Sequence, residues 1–358
     1  MDYARRQDAI DAQLEKLRLE ALLVTHLPNI RYLCGFTGSA GALLMHGGRP
    51  VFFTDGRYTA QARAEVRRAR VVIAKGSPPL AAAQFAQGVR LRALGIESHH
   101  MTVSARATLH RALGPKTRLR DVGPVVERLR MIKDADEIAL LREAVNLGAR
   151  LLDTAVHAIG PGVTESEVAA ELEYAARRAG AEAMSFATIV AAGPRSAMPH
   201  GVASSAAIPA GGFVVLDFGV ILHGYCSDMT RTVHVGKVSA AERSMYQAVR
   251  EAEQAGVDAA RAGVACGEVD RTVRNTLRRA GFARYFTHST GHGVGLEIHE
   301  PPRLARGEGG ALDAGMVVTI EPGVYVPGQG GVRIEDMVVI SQSGCDVLTA
   351  APKELIEL

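Results

Sequence analysis

Along the first 125 or so residues the hydrophobic positions change period several times. RQDAIDAQLEKLRLE (6–20) carries its apolar residues at helical spacing, and ALLVTHL (21–27) is a short continuous apolar run that predicts a strand. GALLMHG (41–47) and RPVFFTDG (49–56) predict two more strands, ARAEVRRAR (62–70) returns to helix, and VVIAKG and LGIES return to strand. Short strands alternating with helices fit a compact α/β domain. RLRMIKDADEIALLREAVNLGARLLDTAVHAI (128–159) then opens a long helical pattern, with Asp134 and Glu137 spaced as a capping box. The domain boundary is placed just before it, giving domains 1–128 and 129–358. Beyond it the pattern predicts a helix over 138–159 and a second in PGVTESEVAAELEYAARRAG (161–180) behind a threonine cap. A strand, a strand pair, a helix over 240–280 and two closing strands follow. Without strict βαβ alternation, this half reads as an α+β domain with an antiparallel sheet.

Acids interrupt two of the apolar strand pairs. FVVLDFGVILHGYCSDMTRTVHVG (213–236) predicts a hairpin turning at His223-Gly224, with Asp217 and Asp228 nearly equidistant from the turn and so across from one another. Like charges directly opposed are destabilising, and buried ones must share a proton or a cation. VVTIEPGVYV and GVRIEDMVVI repeat the device, with Glu321 and Glu335 equidistant from the middle of their connecting loop. One such acid reads as an edge-strand residue or half of an ion pair. Four of them with one imidazole suit a pair of divalent ions of the Mn²⁺ or Co²⁺ sort better than a single structural zinc.

Composition narrows the function classes. A chain of 358 residues is long for one core, and 47% hydrophobic with 22% charged residues is the make-up of an ordinary soluble protein. The net charge is only +3 and the arginines are interleaved with acids, which argues against a nucleic-acid surface. The densest basic run, RAEVRRAR (63–70), reads as the solvated face of a helix. MDYARRQDAIDAQLEKL has charges where a signal peptide needs an apolar stretch, and no segment approaches the roughly 18 apolar residues of a membrane span. Cys34, Cys226, Cys266 and Cys345 form no CxxC pair and read as buried thiols of a reducing, cytoplasmic location.

Three histidines crowd THSTGHGVGLEIHEPP (287–302). Together with MPHGVAS, VVLDFG, YCSDMTRT, TIEPGVY and GVRIEDMVVI, in that family's order over residues 198–340, this stretch resembles the pita-bread metallopeptidases. That family contains methionine aminopeptidase, aminopeptidase P, prolidase and creatinase. PNIRYLCGFTGSAGALL and FFTDGRYTAQA resemble the smaller domain of its Xaa-Pro branch, so the likeness covers nearly the whole chain. A single GHG is weak; five ligand motifs in order are specific. The resemblance implies an N-terminal creatinase-like α/β domain followed by an α+β pita-bread catalytic domain with a curved antiparallel sheet. It implies two divalent metal ions, Mn²⁺ first with Co²⁺ or Zn²⁺ as alternatives. Asp217 would bind one metal through both oxygens, Asp228 and Glu335 would bridge, and His292 and Glu321 would complete the second site. His200, His288 and His299 would lie beside the substrate, His200 or His299 stabilising the oxyanion. Glu321 would also carry a proton to the leaving nitrogen, and Tyr325 matches a family tyrosine assigned to proton shuttling. Arg333, two before Glu335 and on the same strand face, would pair with a bridging carboxylate beside the substrate. The remaining histidines read as ordinary core or surface residues.

Within the family, the N-terminal domain disfavours methionine aminopeptidase, and the intact ligand set disfavours creatinase and a non-catalytic binding module. Prolidase (dipeptides) and aminopeptidase P (longer peptides) share the catalytic motifs. MPHGVAS and the chain length lean to prolidase, with aminopeptidase P as the alternative. A dipeptidase needs a basic residue for the substrate carboxylate, for which Arg49 and Arg57 are candidates that nothing in the sequence singles out. The expected partners are peptides with proline in second position and, by resemblance, a second copy in a homodimer, with no nucleic acid or membrane.

Overall fold

A computed structural model describes residues 1–358, which fold as two compact units, Met1–Arg130 and Met131–Leu358. The first is built on a six-stranded mixed sheet in the order Arg70–Ala74, Val51–Asp55, Ala42–His46, Ala21–Val24, Ala93–Glu97, Arg118–Val122. Ala21–Val24 is central and wholly buried, which is why ALLV is a continuous apolar run rather than an alternating one. Ala82, Ala83 and Ala86 of the helix Pro78–Gly88 pack on one face with Leu23, Leu44, Phe53 and Leu94.

ARAEVRRAR departs from expectation. Its helix, Thr59–Glu65, stops at Val66, whose backbone is extended. Arg67 and Arg68 lie in the turn beyond, Arg68 with φ +54°, and Arg70 opens a strand parallel to Val51–Asp55. The β-branched run Val71-Val72-Ile73 draws the chain into the sheet before the helical period can continue. The run is therefore not one helix face. The strand expected over 21–27 ends at Val24, and a short helix, Leu27–Cys34, entered through Pro28, follows.

In the second unit the helices Ala135–Ala158, Glu165–Arg178 and Ala240–Ala259 each begin with a complete capping box, at Asp134/Glu137, Thr164/Glu167 and Ser239/Glu242. Each cap is worth about 1 kcal/mol. The single helix expected over 240–280 is two, Ala240–Ala259 and Cys266–Arg279, separated by a loop in which Gly263 has φ +84°. These helices cover antiparallel strand pairs, with Leu152, Leu172, Val214, Leu216 and Val233 in one core and Val249, Val273, Leu277, Val324 and Val332 in another. No helix of the chain is long and apolar enough to cross a membrane.

The first acid-bearing hairpin is more broken than its sequence suggests. Strands Gly212–Phe218 and Met229–Val235 pair with Asp217 opposite Thr230, so Asp228 falls just outside the last pair, Phe218 with Met229. Val220–Leu222 and Tyr225–Cys226 form a separate short ladder around His223 and Gly224, both left-handed (φ 50° and 75°), as a tight primed turn requires. The break falls at Gly219, where an added Cβ would lie 1.8 Å from the Ser227 carbonyl oxygen. Asp217 and Asp228 are thus offset rather than directly opposed.

Candidate active site

These broken strand ends line a cavity of about 830 Å³. Asp217, Asp228, His292, Glu321 and Glu335 form part of its wall, with His200, His288, His299 and Arg333. Tyr325 stands behind the wall, against His288 and Arg333.

Register brings the acids together. Val317–Ile320 pairs with Asp336–Ile340 (Ile320 opposite Asp336), and Gly323–Val326 pairs with Gly330–Arg333 (Gly323 opposite Arg333). Both ladders stop short of Glu321 and Glu335, which face each other in the gap. His292 Nε2 is 3.6 Å from both Asp228 Oδ2 and Glu321 Oε1. Asp228, His292 and Glu335 offer ligand atoms all within 4.8 Å of one another. The strand Gly291–Gly293 bulges after His292 and lies so close to its neighbour that a Cβ on Gly291 would be 1.9 Å from the Thr319 carbonyl oxygen. His292 Nδ1 lies 3.0 Å from the Gly293 carbonyl oxygen, which can only accept. The proton therefore sits on Nδ1, and the Nε2 lone pair faces the acids.

Burial makes this cluster costly without a cation. The Asp228 and Glu335 carboxyls are pushed well above the usual range, first by burial and then by neighbouring acids, Glu335 acting on Asp228 and Glu321 on Glu335. Burial also raises Glu321, against the pull of Arg333. Burial lowers His292 to about 4, so its ring is neutral. Asp217 Oδ1 is buried with no hydrogen-bond partner. Buried carboxylates, an orphaned oxygen and an unprotonated imidazole nitrogen are the donor set of a divalent metal centre, and the residues present fit one.

Arg333 supplies the cluster's fixed positive charge and stays protonated, its pKa raised well above normal by Tyr325 and Asp217 despite burial. Its ion pair is with Asp217 rather than with a bridging carboxylate, Asp228 or Glu335, as its position on the strand implied. It also donates to Tyr325 Oη (2.6 Å), Pro199 O (3.1 Å) and Thr230 Oγ1 (3.0 Å). Burial lifts the Tyr325 phenol to about 12 and lowers His288, also near Arg333, to about 4. His288 Nδ1 faces the Ser289 carbonyl (2.8 Å) and its Nε2 faces Tyr325 Oη (2.8 Å). The donors therefore run one way: Arg333 to Tyr325, Tyr325 to a neutral His288. His299 stacks edge-on against His292 with centroids 4.4 Å apart, and burial lowers its pKa. His200 is exposed at the wall.

The sequence does not single out Arg303. It lies in the strand Glu300–Leu304, paired with His292 across the ladder, and lines the cavity with an exposed side chain. Period two from His299 through Pro301 would have pointed to it, but PPRLAR reads as surface strand.

The fold and the acid–imidazole cluster are those of a metallopeptidase. Residues 139–342 match metallopeptidase family M24, and residues 6–132 match the creatinase/prolidase N-terminal domain. The chain belongs to that family. It is 35% identical over 348 residues to an Xaa-Pro dipeptidase of Pyrococcus horikoshii, spanning 96% of each chain. Among solved structures it is similar to an Xaa-Pro dipeptidase from Bacillus anthracis, with 39% identity, full coverage of both chains and a TM-score of 0.97. An X-Pro aminopeptidase from Thermotoga maritima MSB8 is also similar, at 34% identity over 97% of this chain and 100% of the other, with a TM-score of 0.90.

Proposed function

We propose that the protein is an Xaa-Pro peptidase of the prolidase type, hydrolysing the bond between an N-terminal residue and proline with two divalent ions, Mn²⁺ first among them. The observation that carries this is the buried acid–imidazole cluster on the cavity wall of a chain from this family. Asp217, Asp228, His292, Glu321 and Glu335 would hold the ions, and likeness to the family supports a cytoplasmic homodimer. Bound divalent ions supply Lewis acidity toward a carbonyl oxygen and acidify water to near-neutral pKa. The chain's own residues do the rest. His299 or His200 would donate to the scissile carbonyl oxygen as it gains charge. Glu321 would also carry a proton to the proline nitrogen. Arg333 and Tyr325 hold Asp217 and His288 in place. Arg303 brings the cavity its second guanidinium, and the first is engaged with Asp217 and Tyr325. Arg303 is therefore the group suited to the C-terminal carboxylate of a dipeptide.

A cavity near the upper end of the roughly 300–1,000 Å³ of small-molecule sites leaves room past a dipeptide, which supports aminopeptidase P as the second reading. The test compares chelated and Mn²⁺-reconstituted protein on an Xaa-Pro dipeptide, an Xaa-Pro-Xaa tripeptide and a Met-Ala-Xaa control. Metal-dependent cleavage of the dipeptide alone is the prolidase outcome, and Arg303→Gln should then cost about 10- to 100-fold in kcat/KM, the loss of one charged hydrogen-bonded contact. Cleavage of the tripeptide as well indicates aminopeptidase P, and failure on both proline peptides removes the proposal.

A further inference from the structure

Behind the cavity wall lies Arg231, 2% exposed, with all three guanidinium nitrogens hydrogen-bonded. We propose that Arg231, in a clasp with the C-terminal segment 349–353, is a positioning residue that holds Glu335 and thereby sets the affinity of the chain for divalent metal. This rests on the reading of Glu335 as a ligand.

Strand alternation sends Thr230 and Arg231 to opposite faces. Thr230 turns to the acid cluster, where its hydroxyl donates to Glu335 Oε2 at 2.7 Å. Arg231 turns away, and its guanidinium donates to the carbonyl oxygens of Glu335 (2.6 Å) and Thr230 (2.9 Å). The Glu335 N–H donates to that same Thr230 carbonyl at 3.1 Å, so both polar groups of the Glu335 main chain are held. The remaining donors reach Asp336 Oδ1 (2.7 Å), Ala351 O (2.7 Å) and Pro352 O (2.8 Å). Lys353 Nζ closes the clasp, 2.8 Å from both Asp336 Oδ2 and Glu253 Oε2. Arg231 hydrogen-bonds no proposed ligand side chain; it acts through the peptide that carries one. With the guanidinium gone, the buried Glu335 carbonyl loses its donor, while Thr230 O keeps the Glu335 N–H, and the peptide after Glu335 is held less firmly. The carboxylate would then leave the geometry that a metal demands. A mere structural brace would lower stability without changing metal affinity in the folded chain.

The experiment measures Mn²⁺ binding to the chelated full chain from the loss of the free-ion electron paramagnetic resonance signal, alongside circular dichroism to establish folding. The variants are Arg231→Met, Arg231→Lys, Lys353→Met and Glu335→Ala. Arg231→Met should weaken Mn²⁺ binding about 10- to 100-fold, as loss of an outer partner of a ligand does. Arg231→Lys, which keeps the charge but not the planar fork, should recover little of it. A folded Arg231→Met protein that binds Mn²⁺ as tightly as the native chain overturns the proposal. Should that variant not fold, Lys353→Met decides: weakening by about tenfold supports the clasp, and native affinity overturns it. Glu335→Ala separates the two layers. If it leaves Mn²⁺ affinity intact, the ligand reading fails and takes the clasp with it. If it abolishes binding while Arg231→Met does not weaken it, only the positioning role is lost.

Discussion

At the scale of single residues, the cluster combines groups that are unstable alone. Asp228 is buried among acids and prefers its proton, so its charge in the folded chain depends on a cation. Asp228→Asn keeps the shape and removes that charge. In the Mn²⁺-loaded protein it should lower kcat/KM on an Xaa-Pro peptide at least about a thousandfold, the loss of several kcal/mol of metal-derived stabilisation. Denaturant unfolding of the chelated variant should show no loss of stability, because no buried charge has been left unpaired. These roles were only partly legible in the sequence. The acids stood out because each interrupts an apolar strand, whereas Arg303 and Arg231 stand among many similar arginines. What distinguishes those two is who their neighbours are, and that is a tertiary fact.

At the scale of elements, register and close approach decide the outcome. Gly291→Ala puts a methyl carbon against the Thr319 carbonyl, a backbone atom that cannot step aside. The expected cost is about 1–3 kcal/mol in denaturant unfolding, together with weaker Mn²⁺ binding as His292 moves; a neutral substitution would mean that the strand is looser than it looks. The clasp brings a pH dependence. Glu253, on the helix Ala240–Ala259, is raised to about 8, by burial first and then by Asp336. A carboxyl whose pKa is raised by folding binds its proton more tightly in the native state. Its contribution to stability is full below its unfolded pKa near 4.5 and is lost as pH rises through about 8. Native stability should therefore fall between pH 6 and pH 9, and Glu253→Gln should flatten that fall, as read from unfolding midpoints at the two pH values. The helix starts at Asp134 and Thr164 were readable because a cap and its partner lie only three residues apart in sequence. The loop that splits 240–280 was not, because Gly263 is one glycine among many and only the packing of two helices shows where the turn must fall.

For the whole molecule, the second unit carries the cluster, and metal should stabilise it by mass action. Mn²⁺ at about a thousand times its dissociation constant adds roughly 4 kcal/mol, or a rise of about 8–16 °C in a transition of this size. Calorimetry of the chelated and reconstituted protein checks this, and an unchanged melting temperature would place any bound metal outside the folded core. The alternation of short strands and helices, the antiparallel character of the second half and the four acids at or beside strand ends followed from sequence, because hydrophobic period and burial cost are local quantities. So did the placing of Glu321 across from Glu335, since a symmetric loop preserves register. The offset of Asp217 from Asp228, the pairing of Arg333 with Asp217 and the hold of the C-terminal segment on Glu335 were decided only by the tertiary structure. Each depends on atoms 100 or more residues apart, or on a break in register that one glycine permits, and no local pattern encodes either.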